Sequence, residues 1–121
     1  MELLDIARDA GDAAITMQVR GEVDSSTVDG LGAELTAAVA EAQTHPARTL
    51  IVDLNGVTYF GSAGLNALLD VTQRGETGGV AVRLVATNAE VVRPIEVTGL
   101  DHILRLHRSV DEAQAPSEDR R

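Results

Sequence analysis

The chain is 121 residues long, 44% apolar and only 2% aromatic, and it carries a formal net charge of −9. That length suits one domain with one ordinary core, built almost without aromatic rings. The acidic balance argues against nucleic-acid and anionic-membrane partners, which need a basic footprint, and the lack of cysteine excludes disulfides, thiolate catalysis and zinc–thiolate sites.

Leu3, Leu4 and Ile6 predict a first strand. Residues 14–20, AITMQVR, alternate with period two after Ala14 and predict a second, paired with the first through a Gly11-Asp12 turn. Gly21-Glu22-Val23-Asp24 closes it. Ser26-Thr27-Val28-Asp29 predicts a helix start, with Ser26 accepting from the amide of Asp29. The apolar stripe Val28, Leu31, Leu35, Ala38, Val39 and Ala42 follows the helical period. Gly30 and Gly32 weaken its first turns, and His45-Pro46 ends it.

Thr49 to Leu54 predicts a strand buried on both faces, as in the centre of an α/β sheet. Asn55-Gly56 predicts a turn. Tyr59-Phe60 runs into Gly61-Ser62-Ala63-Gly64, and Ser62 opens a second helix with Leu65, Leu68, Leu69 and Thr72 on one face and Gly75 as its C-terminal cap. Val80 to Ala86 predicts another buried strand. Thr87-Asn88 caps a third helix through Val92, Ile95 and Glu96, stopped by Gly99; Pro94 predicts a kink or a late start. Ile103 to His107 reads as a last short strand and Ser109 to Ala113 as one or two helical turns. Residues 1–115 form the single domain, with 116–121 a disordered tail. The order β-β-α-β-α-β-α-β-α defines an α/β fold, with a mostly parallel sheet of four or five strands, right-handed crossovers and helices packed around it.

No apolar run approaches the ~20 residues needed to cross a bilayer. The N-terminal MELLDIARDAGDA lacks the basic-then-apolar pattern of a secretion signal, so a soluble cytoplasmic protein is expected. His45, His102 and His107 lack the clustered carboxylates of a metal site. All ten basic residues are arginine, so there is no P-loop lysine. Gly61-Ser62-Ala63-Gly64 lacks the spacing of a nucleophile elbow. Neither catalysis nor a cofactor is expected.

From the residues alone, Ser62 reads as a helix N-cap, Gly61 as a position needing positive φ and Asp24 as a turn residue holding local amides. Asp53 and Asn55 fix the loop that presents Ser62. Val57 and Phe60 plug the space beneath it, and Tyr59 either covers the sheet edge or stands exposed for a partner.

Three stretches together resemble the STAS domain of anti-sigma factor antagonists, bacterial regulators also called anti-anti-sigma factors. They are Gly21-Glu22-Val23-Asp24; Val52 to Val57 with Gly61-Ser62-Ala63-Gly64-Leu65; and Leu84-Val85 with Thr98-Gly99-Leu100. The resemblance spans roughly residues 3 to 114. It implies a phosphoacceptor at Ser62 and a partner-facing surface of Asp24, Ser25, Tyr59, Gly61, Ser62, Ala63, Gly64 and Asn66. It implies binding to an anti-sigma factor that is also a serine kinase, release of a sigma factor, inactivation by phosphorylation and reactivation by a PP2C-type phosphatase, with ATP and magnesium belonging to the kinase. A monomer is expected. One position departs from the family's pattern: Gly61 stands where aspartate usually precedes the serine. That departure keeps a second reading open, a non-phosphorylated STAS module serving a lipid-transport ATPase or a stress-complex scaffold.

Overall fold

The computed structural model describes residues 4–115. Its elements are β1 (Leu4–Ala10), β2 (Ile15–Val23), α1 (Val28–Gln43), β3 (Thr49–Phe60), α2 (Ser62–Gly78), β4 (Ala81–Val85), α3 (Ala89–Val97), a 3₁₀ turn (Leu100–His102), β5 (Leu106–His107) and α4 (Val110–Gln114). The five strands form one sheet in the order β1-β2-β3-β4-β5. β1 runs antiparallel to β2, with Leu4 opposite Gly21 and Ala10 opposite Ile15, and the remaining pairs are parallel. The predicted hairpin closes through Gly11 N–H donating to the Ala14 carbonyl at 3.0 Å. The predicted tail lies outside the described residues.

Period-two alternation divides the sheet into two faces. Leu50, Val52 and Leu54 of β3, with Val82 and Leu84 of β4, join the main core beneath Leu31, Leu35, Leu65, Leu68, Val91 and Ile95 of α1, α2 and α3. Ile51 and Val85 turn the other way and meet Ala113 of α4. The three longer helices thus cover one face and α4 patches the other.

Four local expectations are corrected. Asn55-Gly56 is not a turn: β3 continues through it, and the β2–β3 register shifts twice, between Gln18 and Arg20 and between Gly21 and Glu22. Each shift gives β3 one residue more than β2, which bends the strand and carries it past the end of β4. A Cβ on Gly56 would sit 2.7 Å from Arg20 Cγ, so glycine lets the strands approach there. Second, Gly75 lies buried inside α2, where a Cβ would meet Val82 Cγ2 at 2.5 Å and the Val80 carbonyl at 2.9 Å. The cap is Gly79, at φ +77°. Third, α3 does not start late: it begins directly after Asn88, with Pro94 inside it. Fourth, the predicted last strand shortens to Leu106–His107, because the 3₁₀ turn takes up the chain after Gly99.

Arg48 holds the opposite end of the molecule. Its guanidinium donates to the Gln43 carbonyl at 2.7 Å, to Gly78 at 2.7 Å and to Gly79 at 2.9 Å, which satisfies carbonyls at the ends of α1 and α2. Its φ of +47° is unusual for a residue with a side chain.

Candidate functional site

The register shifts place the end of β3 beside the end of β2. Glu22 pairs with Tyr59 and Val23 with Phe60, and Gly61 N–H donates to the Val23 carbonyl at 3.0 Å. The two strand-to-helix corners, Asp24 to Thr27 and Gly61 to Gly64, are therefore neighbours.

The first corner satisfies itself. Asp24 Oδ1 accepts from the Ser26 amide at 2.9 Å, the Ser26 hydroxyl at 2.7 Å and the Thr27 amide at 3.2 Å. Thr27 Oγ1 accepts from the Asp24 amide at 3.0 Å and donates to the Glu22 carbonyl at 2.9 Å. The Ser26 hydroxyl, then its amide, hold the Asp24 carboxyl below its ordinary value, so it stays ionised. Asp24 is the turn residue that the sequence suggests, but Ser26 is not the cap. Thr27 occupies the N-cap position of α1, without a side-chain cap bond.

The second corner is bare. Gly61 takes the N-cap position and offers no side chain, so Ser62 is the first helical residue and not the cap. Ser62 is exposed, and its hydroxyl has no hydrogen-bond partner among the described residues. The first turn of α2 carries no acidic residue, which leaves the positive end of the helix dipole uncompensated. Gly61 has φ −94° and ψ −177°, so the expected positive φ is not found. Gly64 is buried: a Cβ there would meet Phe60 Cε1 at 2.6 Å and Val23 Cγ1 at 2.8 Å. It supports the corner from beneath and offers a partner no surface. Ser25 and Asn66 are exposed, and Ala63 is partly so. Val57 and Phe60 are buried under the corner, while Tyr59 is 54% exposed.

Two asparagines brace this arm of β3. Asn55 Oδ1 accepts from the Thr87 amide at 2.8 Å and its hydroxyl at 3.2 Å, and Asp53 Oδ1 accepts from the Asn55 amide at 3.0 Å. Asn88 Nδ2 donates to the carbonyls of Leu54 at 3.1 Å and Val57 at 2.8 Å. Asn88 takes the N-cap position of α3, as the sequence suggests, but without a side-chain cap bond; its amide spans to the bulged strand, and that sideways reach has no sequence signal. His45 is also consumed locally: its Nδ1 accepts from the Ala47 amide at 3.0 Å, leaving Nε2 to donate to the Gly11 carbonyl at 2.7 Å. Among the described residues no three His, Cys, Asp or Glu side chains gather as a metal site, and no helix is long and apolar enough to cross a membrane.

A five-stranded, mostly parallel sheet with helices packed around it agrees with the STAS fold, and residues 6–113 match the STAS domain family. The chain belongs to that family. It is 31% identical over 102 residues to the anti-sigma-F factor antagonist RsfA of Mycobacterium tuberculosis, covering 84% of this chain and 78% of RsfA. It is also 31% identical over 98 residues to RsfB, an anti-sigma-F factor antagonist of the same species, covering 80% and 75%. A crystal structure of an anti-sigma factor antagonist from Mycobacterium paratuberculosis superposes with a TM-score of 0.81 at 28% identity, covering 91% of this chain and 90% of that one. The anti-sigma factor antagonist SpoIIAA in its unphosphorylated form superposes at 0.70 over 90% and 92% of the two chains; at 16% identity that likeness concerns the fold alone.

Proposed function

We propose that this chain is an anti-sigma factor antagonist whose Ser62 corner docks on an anti-sigma factor and whose docking is switched off by phosphorylation of Ser62. The observation that carries the reading is the exposed, unbonded Ser62 hydroxyl at an uncapped helix start, in the corner next to the one that Asp24 orders, in a chain similar to named antagonists. The partner is an anti-sigma factor that is also a serine kinase. Its sequestration releases a sigma factor in the cytoplasm. This chain is the substrate: Ser62 Oγ attacks the γ-phosphorus of ATP held with magnesium by the kinase, the hydroxyl proton passes to a base of the kinase, and ADP leaves. A PP2C-type phosphatase hydrolyses the ester and restores the docking form.

Phosphorylation adds roughly −1.5 to −2 charges at neutral pH. Helix N-terminal amides receive such a group well, so the protein itself tolerates it. A partner packed over the corner would have to desolvate it without a matching cation, and binding collapses. The test uses Ser62→Ala and Ser62→Asp proteins as paired baits in lysate of the native host. An ATP-binding anti-sigma kinase retained by the Ala bait and lost from the Asp bait supports the switch. A second reading rests on Gly61 in place of the usual aspartate. Under it the chain is a non-phosphorylated module of a lipid-transport ATPase or scaffold, and both baits recover the same subunits.

A further inference from the structure

The backbone at Gly61 is extended, a conformation that any residue adopts, so φ does not demand glycine there. The neighbour limits the space instead. Tyr59 and Gly61 are two residues apart on the same side of an extended chain. A Cβ built on Gly61 would lie 3.3 Å from Tyr59 Oη, 3.4 Å from Cε2 and 3.7 Å from Cζ. The phenol is thus folded along its own strand across the space that a side chain at position 61 would fill, immediately before Ser62. Its neighbour Phe60 is buried, whereas Tyr59 keeps half its surface in solvent.

We propose that Tyr59 substitutes for a side chain at position 61: its ring and hydroxyl, lying over Gly61 next to Ser62, determine how tightly the anti-sigma factor engages this corner. The proposal rests on the Ser62 corner being the docking surface. Where a carboxylate at position 61 would place a charge beside the serine, the Tyr59–Gly61 pair places a neutral ring with one hydroxyl. A side chain at position 61 then competes with Tyr59 for the same space, and the two positions act as a unit. Rigid aromatic residues at the centre of an interface commonly dominate its affinity, and residues in contact respond non-additively to substitution.

The geometry is testable without a partner, because Tyr59 is the only tyrosine and the chain has no tryptophan. Acrylamide quenching of the intrinsic fluorescence therefore reports this one ring. In Gly61→Asp, and more mildly in Gly61→Ser, the new side chain displaces the phenol, and quenching rises towards that of free tyrosine while circular dichroism stays native. Unchanged quenching in both folded variants overturns the pairing. The functional half is a double-mutant cycle against the anti-sigma factor captured by the Ser62→Ala protein. Tyr59→Ala and Gly61→Asp each weaken binding by about tenfold, and the double variant binds no worse than either single one. A double loss equal to the product, about a hundredfold, overturns the coupling. Singles that bind as wild type, while Ser62→Asp does not, remove Tyr59 from docking and leave the switch standing. Ser62→Asp binding as wild type removes the switch, and the cycle still reads the pair.

Discussion

The corners after β2 and β3 are neighbours of similar shape, yet they are finished in opposite ways. At Asp24 to Thr27 the chain satisfies its own amides: one carboxylate collects two amides and a hydroxyl. At Gly61 to Gly64 it supplies no side-chain acceptor, packs a glycine into the core and leaves a serine in solvent. The difference teaches that a helix start can be stabilised from beneath, by packing, when its outer surface is kept free. In the first corner polar chemistry gives order. In the second, shape does so, and the polar groups stay available for whatever binds.

The comparison can be broken most forcefully at Gly64. Gly64→Ala forces a methyl against Phe60 and Val23, and overpacking of this kind costs about 1–3 kcal/mol, which urea denaturation will measure. A loss below about 0.5 kcal/mol would show that packing does not hold the second corner. Next comes the brace. Asn88→Ala removes the donor to the Leu54 and Val57 carbonyls, with an expected loss of about 1–2 kcal/mol. Amide exchange should quicken across residues 57–62 more than in β1.

The first corner responds to acid. The Asp24 carboxyl is depressed in the folded state, chiefly by the Ser26 hydroxyl. Its stabilising contribution is therefore complete above the unfolded value of about 3.9 and lost as pH falls through the folded one. Asp24→Asn should flatten that part of the acid limb of a stability–pH curve, and an unchanged limb would count against the network. The smallest effect belongs to Ser62→Ala. Loss of a capping serine costs about 1 kcal/mol, whereas a serine that caps nothing should be replaceable within about 0.5 kcal/mol.

The layout of the fold was legible in the sequence because burial leaves a periodic trace. Leu31, Leu35, Ala38 and Ala42 repeat at helical spacing and all are buried, and Thr49 to Val52 read as doubly buried because they are. Misreadings gathered where glycine or asparagine does something other than turn the chain. Asn55-Gly56 has turn composition, yet the β3 bulge and the Arg20 side chain over Gly56 keep it in the strand. Gly75 looks like a cap and is a packing hollow for Val82. At the site, Asp24 was legible from local pattern as a turn residue, whereas Ser62 reads as a cap and is the first helical residue. The contact of Tyr59 with Gly61 and the reach of Asn88 and Arg48 were not legible, because they depend on where the β3 bulges and helix ends fall in space.

The central claim is that charge on Ser62 decides docking. Isothermal titration of the captured anti-sigma factor with wild-type, Ser62→Ala and Ser62→Asp protein tests it most directly. The account predicts that Ser62→Ala binds as the unmodified wild type does, and that Ser62→Asp loses about a hundredfold or more, near 2.7 kcal/mol. Equal affinity for the Ala and Asp proteins would contradict it.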